Sequence, residues 1–140
     1  MGERIDPRAL TRELLAFDTV NPPGMERACA RHLGALLEGA GFRTEFHEYA
    51  EGRTSLIARV GNGQGPPICF TGHMDVVPLG AAKWSREPFG GETDGDRLYG
   101  RGSTDMKGGI AAFVAAAVEL APKLARGPGL VLVITAGEEV

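Results

Sequence analysis

Three short stretches of this chain carry side chains whose types and spacing could do chemistry together. In Gly72-His73-Met74-Asp75-Val76-Val77-Pro78 an imidazole and a carboxylate stand two residues apart. In extended backbone that spacing puts both on one face, so the carboxylate can reach the ring. An imidazole held by a carboxylate has a fixed tautomer, and its other nitrogen is free for a metal. The second stretch, Gly100-Arg101-Gly102-Ser103-Thr104-Asp105-Met106-Lys107-Gly108-Gly109, sets a carboxylate among glycines that let the backbone come close. It does not fit an anion cradle. A dinucleotide fingerprint starting at Gly100 needs glycine where Asp105 stands, and a P-loop lysine follows glycine and precedes Ser or Thr, whereas Lys107 lies between Met106 and Gly108. Asp105 has the right sign for a cation, and one carboxylate can bridge two metals. The third stretch is Thr135-Ala136-Gly137-Glu138-Glu139. Adjacent carboxylates repel unless something positive sits near them. A divalent metal answers that, with one Glu as ligand and the other free to take a proton from a water at the metal.

The elements that must position these residues alternate helix and strand. Asp6 is a good N-cap with Pro7 at the first helical position, and Leu10, Leu14 and Phe17 recur at helical spacing, predicting a helix to about Phe17. Asp18 to Gly24 is a break, because Pro22, Pro23 and Gly24 cannot continue a helix. Cys29, Leu33, Leu36, Leu37 and Ala40 form the apolar stripe of a second helix that Gly41 stops. Phe42–Phe46 alternates as a strand with one covered face, and Ser55–Val60 is another. A turn-rich run from Gly61 to Pro67 leads into the strand that ends near His73, an apolar run short enough to be a buried strand. Asp94-Gly95-Asp96 predicts a hairpin turn into Arg97-Leu98-Tyr99. Trp84, Pro88 and Phe89 read as anchors pinning a long loop. A third helix opens near Lys107 or Gly108, buries Ile110, Phe113, Val114, Ala117 and Val118, and has Pro122 at its end. Leu130–Ile134 is a continuous β-branched run of the kind buried on both faces. The pattern is α/β, a central sheet flanked by helices. Ligands of open α/β sheets bind beyond the carboxyl ends of strands, where His73 and the acidic pair both fall.

Composition narrows the functional classes. At 140 residues the chain is long enough for one sizeable domain. A formal net charge of −3 supplies no electrostatic reason for a nucleic-acid or anionic-membrane partner. No apolar run reaches the roughly 18 residues of a membrane span, and Met1–Asp6 lacks the apolar core of a signal peptide. Cys29 and Cys69 sit among apolar neighbours, which predicts two buried thiols in a reducing cytoplasm rather than ligands or a disulfide. His32 and His47 are placed as surface residues, far from the three motifs. Two rival classes stand beside a metal enzyme: a non-catalytic fragment or binding module that keeps a hydrolase fold, and a nucleotide-binding α/β protein, which the missing P-loop disfavours.

In this order the three motifs resemble the M20 family of dinuclear zinc or cobalt hydrolases, which includes acetylornithine deacetylase, succinyl-diaminopimelate desuccinylase and glutamate carboxypeptidase. The resemblance extends over the Asn21-Pro22-Pro23-Gly24 break and the Trp84 to Phe89 loop. It implies a three-layer α/β/α fold around a central, mostly parallel (mixed) sheet of the zinc-dependent exopeptidase kind. It implies hydrolysis of an amide bond in an N-acyl amino acid or small peptide-like substrate, in the manner of a deacetylase or desuccinylase, with two divalent ions, zinc or cobalt. Carried over by position, His73 is a ligand of one metal and Asp75 orients it, Asp105 bridges the two metals, Glu138 is the general base and Glu139 binds the second metal. The peptide between Asp105 and Met106 is expected to be cis, and Gly137 stands where many relatives have Asp. Residues 1–140 would be the N-terminal part of the catalytic domain. The lid and dimerisation domain, the C-terminal part of the catalytic domain and further ligands would lie outside it, in a parent expected to be a cytoplasmic homodimer. The 140-residue chain by itself is then expected to be inactive, with apolar surface exposed around Leu130–Ile134.

Overall fold

Local signals account for the helices of the computed structural model, which describes residues 2–140. Helix α1 (Pro7–Leu15) starts where the Asp6 carboxylate accepts the Arg8 N–H at 3.0 Å, ahead of Pro7. It stops two residues short of Phe17, because the N–H groups of Ala16 and Phe17 turn back to the carbonyls of Glu13 and Leu14 in a tighter final turn. Helix α2 (Arg27–Gly39) buries Cys29, Leu33 and Leu37. Helix α3 (Gly108–Leu124) buries Ile110, Val114, Ala117 and Val118, and Pro122 sits inside its last turn rather than ending it.

The strands are β1 (Arg43–Ala50), β2 (Arg53–Val60), β3 (Ile68–His73), the short pair β4 (Thr93–Asp94) and β5 (Arg97–Leu98), and β6 (Leu130–Thr135). β4 and β5 pair antiparallel around Gly95, as the Asp-Gly-Asp turn predicts. The main sheet has the order β1-β2-β6-β3 and is mixed. β1 and β2 form an antiparallel hairpin, β2 and β6 are antiparallel, and β3 and β6 are parallel, so antiparallel pairs outnumber the parallel one in the described residues.

All three helices lie on one side of this sheet. Phe46, Leu56, Ile134 and Gly72 are register partners across the four strands. At one end of that row Phe46 lies against Gly34 of α2, and at the other a side chain at Gly72 would meet Met106, Ile110 and Phe113 at 3.0–3.3 Å. Leu56, Ala58, Leu132 and Ile134 are sealed between sheet and helices in a single core that also takes Leu10, Leu14, Leu33 and Val114. The opposite face, with Ile57, Val133 and Thr71 in one row, carries no helix among the described residues. Of the three-layer arrangement, the structure holds the sheet and one helical layer.

Strand exposure departs from expectation in a way the topology explains. β6 is central and buried, with Leu132 and Ile134 fully covered, so the apolar surface expected around Leu130–Ile134 is absent. β1 and β3 are the two edge strands of the main sheet, and the apolar one is β3, whose outer edge has no partner strand among the described residues. Ile68 is 65% and Phe70 48% exposed, and β3 is therefore not the buried strand its composition suggests. Cys29 is buried as expected, but Cys69 is exposed because it lies on this edge strand. No described helix is long and apolar enough to cross a membrane.

Candidate metal centre

The parallel register of β3 and β6 pairs His73 with Thr135, so the two strands end side by side. The Met74 N–H donates to the Thr135 carbonyl at 2.9 Å and keeps the loops together one residue further. His73 thus meets the turn carrying Glu138 and Glu139 at the carboxyl rim of the sheet.

Asp75 ties that rim together. It is fully buried, and each of its oxygens accepts two hydrogen bonds. Oδ1 takes His73 Nδ1–H at 3.1 Å and the Glu138 N–H at 3.0 Å; Oδ2 takes the Asn21 amide at 2.8 Å and the Glu139 N–H at 2.9 Å. Burial alone would raise the Asp75 carboxyl, but the Asn21 amide, the two backbone N–H groups and the nearby imidazole outweigh it and hold its pKa below the usual value. A carboxylate at Nδ1 places the ring proton there and leaves Nε2 of the neutral imidazole with its lone pair.

Asp105 arrives from the irregular turn Ser103–Lys107, whose backbone leaves helical geometry at Asp105 and Met106. Its Asp105–Met106 peptide is cis, as the family resemblance implies. Gly102 makes the approach possible: its φ is +87°, and a Cβ there would stand 2.5 Å from the Val76 side chain. Behind the turn, the buried Lys107 ammonium donates to the Phe17 carbonyl at 2.8 Å. Burial lowers the Lys107 pKa.

These loops bring His73 Nε2 to 3.1 Å from Asp105 Oδ1 and 3.8 Å from Glu138 Oε2. One donor atom each from His73, Asp105 and Glu139 lies within 4.8 Å of the other two. The donor set suits a divalent cation: one imidazole nitrogen and two carboxylates whose like charges face each other. The acids register that crowding. Burial first, then the charge of Asp105, raise the Glu139 carboxyl. Burial works to lower the His73 imidazole, but Asp75, Glu138 and Asp105 outweigh it and raise its pKa. A cavity of about 200 Å³ opens beside the cluster, lined by Val77, Gly100–Asp105 and Glu139. Larger hollows, such as one of about 440 Å³ between α1 and α2, are lined by none of His73, Asp105, Glu138 and Glu139.

His32 and His47 stay away from the cluster, bonded to Glu13 and Glu45. Sequence reasoning placed Asn21 only as a chain break and overlooked the ion pair of Glu26 with Arg53, at 2.8 and 3.0 Å, behind the Gly137 turn. The only signal for Asn21 was its place ahead of two prolines. A hydrogen bond across 54 residues leaves no trace in local pattern.

Comparison with known proteins is consistent across sequence and fold. A family model described as peptidase family M20/M25/M40 matches residues 69–140. Succinyl-diaminopimelate desuccinylase of Rhodospirillum centenum is 42% identical, covering 96% of this chain and 35% of that protein. The same enzyme of Wolbachia sp. subsp. Brugia malayi is 41% identical over 97% of this chain and 34% of its own length. The chain therefore spans about a third of the curated relatives it matches. An M20 family metallo-carboxypeptidase from Sulfolobus solfataricus superposes with a TM-score of 0.81 at 24% identity, over 96% of this chain and 31% of that one. A Bacillus subtilis protein described as a dinuclear metal-binding peptidase from the M20 family superposes with a TM-score of 0.62 at 18% identity, over 96% and 35%. At these identities the two structures establish the fold.

Proposed function

The chain belongs to peptidase family M20/M25/M40, and on that premise we propose that residues 1–140 are the N-terminal, metal-holding part of the catalytic domain of an amidohydrolase. The reaction is hydrolysis of the amide bond of an N-acyl amino acid or small peptide-like substrate, of the kind the desuccinylase relatives are named for. The observation that carries it is the convergence of His73, Asp105 and Glu139 on one point at the sheet rim.

In this reading His73 and Asp105 would hold one divalent ion, and Asp105 and Glu139 a second, zinc or cobalt. When bound, the ions supply Lewis acidity that polarises the amide carbonyl and makes water easier to deprotonate. Asp75 keeps the His73 ring oriented through Nδ1. Glu138, whose side chain is 61% exposed beside the cluster, takes the proton from the attacking water and returns it to the leaving amine. Arg101, the one basic side chain lining the cavity, stands 5.0 Å over the Trp84 ring with its Nε buried and unpartnered. It suits a substrate that carries a carboxylate.

The test uses the full-length protein. Elemental analysis should find two divalent ions per chain, and N-succinyl or N-acetyl amino acids should be hydrolysed in a metal-dependent manner. Absence of bound metal would overturn the centre. Bound metal without turnover on any acyl amino acid or dipeptide would leave a non-catalytic binding module in place of the enzyme.

A further inference from the structure

The segment that follows α1 touches the His73 and Asp105 loops directly and the Glu139 turn through Asp75. The Phe17 carbonyl accepts Lys107 Nζ at the base of the Asp105 turn. Thr19 Oγ1 donates to the Met74 carbonyl at 2.6 Å. The Val76 N–H donates to the Thr19 carbonyl at 3.1 Å and the Asn21 N–H to the Val76 carbonyl at 2.8 Å, which makes a parallel bridge between Val20 and Val76. At the end of this strap Asn21, 2% exposed, sends its side-chain amide to Asp75 Oδ2.

That bond completes a set of four donors on the two oxygens of a fully buried carboxylate. Without the Asn21 amide, Asp75 would keep a buried acceptor site unsatisfied, which is costly for a charged group. It could regain a partner only by turning, and Oδ2 also holds the Glu139 N–H while Oδ1 holds the Glu138 N–H and the His73 ring. A turn-forming role would account for asparagine ahead of Pro22. It would not account for a side chain directed at a carboxylate 54 residues on.

We propose that Asn21 is a positioning residue of the centre: acting only through Asp75, it holds the backbone of Glu138 and Glu139 and the ring of His73 in register. Its functional consequence rests on the metal-centre reading above, whereas the clamp is a property of the chain without ions. Glu139 shares Oδ2 with Asn21, so its ion is the one most affected.

Three variants of the full-length protein test this. Asn21→Ala removes the donor, Asn21→Asp turns it into an acceptor facing Asp75, and Asn21→Ser keeps a shorter donor. In metal-free protein, amide hydrogen exchange at Glu138 and Glu139 should speed up by about tenfold or more in Asn21→Ala, with Leu33 and Leu37 of α2 unchanged. After loading with cobalt, the absorption spectrum of the bound ion should change and affinity should fall about 10–100-fold, as for other partners behind metal ligands. Turnover should drop mainly in kcat, and Asn21→Ser should recover part of each effect. Unchanged exchange at Glu138 and Glu139 overturns the clamp. A lower melting temperature with cobalt spectrum and affinity intact overturns the positioning role and leaves Asn21 as structural. If the wild type binds no cobalt, the metal-centre reading fails, and exchange still decides the clamp. Should Asn21→Ala not fold, Asn21→Ser carries the same measurements.

Discussion

Glu138 and Glu139 are neighbours in sequence with different tasks available to them. The Glu139 carboxylate belongs to the tight donor cluster, while Glu138 stands 3.8 Å from His73 Nε2 with most of its side chain in solvent. Glu138→Ala in the full-length protein should therefore cut turnover by about 10²–10⁴-fold, the usual worth of a positioned base, with metal content retained. If elemental analysis showed metal falling in step with activity, the two glutamates would have to exchange roles. The cysteines offer a second check at this scale. Burial pushes the Cys29 thiol up to about 11, so at pH 8 only about one molecule in a thousand carries the reactive thiolate. Cys69 is exposed on β3. Iodoacetamide at pH 8 should label Cys69 in the folded protein and Cys29 only after unfolding, with mass spectrometry of the peptides as readout. Labelling of Cys29 in the folded protein would contradict its burial on α2, and protection of Cys69 would contradict the edge position of β3.

Among the elements, the turn after β6 is closely constrained by its neighbours. Gly137 has φ +77°, and a Cβ there would meet Tyr49 Oη at 2.6 Å and Arg53 Nη2 at 3.0 Å. The β1–β2 hairpin thus presses on the turn carrying both glutamates, and Arg53 is itself fixed by Glu26, whose side chain is wholly buried. Gly137→Ala should cost about 1–2 kcal/mol from the left-handed backbone alone, with the close contact adding to it. Gly137→Asp should cost less, because Asp tolerates positive φ better than Ala and would bring a carboxylate beside the Arg53 guanidinium. Urea unfolding of the two variants orders them, and an Asp variant less stable than the Ala variant would refute the argument.

For the whole molecule, the decisive features are an open sheet face, an open β3 edge and a candidate metal centre with few donors among the described residues. His73 and Asp105 on one ion, and Asp105 and Glu139 on the other, would give each ion two protein ligands from residues 1–140. A catalytic zinc usually has three. The 140-residue chain on its own should bind zinc weakly by calorimetry and show no measurable hydrolysis of N-acyl amino acids; two tight ions with turnover would overturn this. Ile68 and Phe70 on an edge strand also make the isolated chain prone to associate through that edge. Sedimentation velocity should show association that rises with concentration and that Ile68→Lys suppresses.

The helices, the β4–β5 turn and the three motifs were legible in sequence because each is written in nearest-neighbour terms. The Asp6-Pro7 cap, the stripe of α2 and the Asp-Gly-Asp turn report local backbone geometry, and the motif spacings report which donors share a strand end. Even the rim that unites His73 with the acidic pair followed from both lying at carboxyl ends of strands. Tertiary structure alone decided which strand lies beside which. A run such as Leu130–Ile134 or Ile68–Phe70 says that a strand is apolar, and inserting β6 between β2 and β3 is what buries the first and exposes the second. The same holds for polar groups: the partner of Asp75 is Asn21, and that of Arg53 is Glu26, because backbone pairing brings distant segments within hydrogen-bond reach. Periodicity records whether a side chain needs cover or a partner; only the packed chain determines what supplies it.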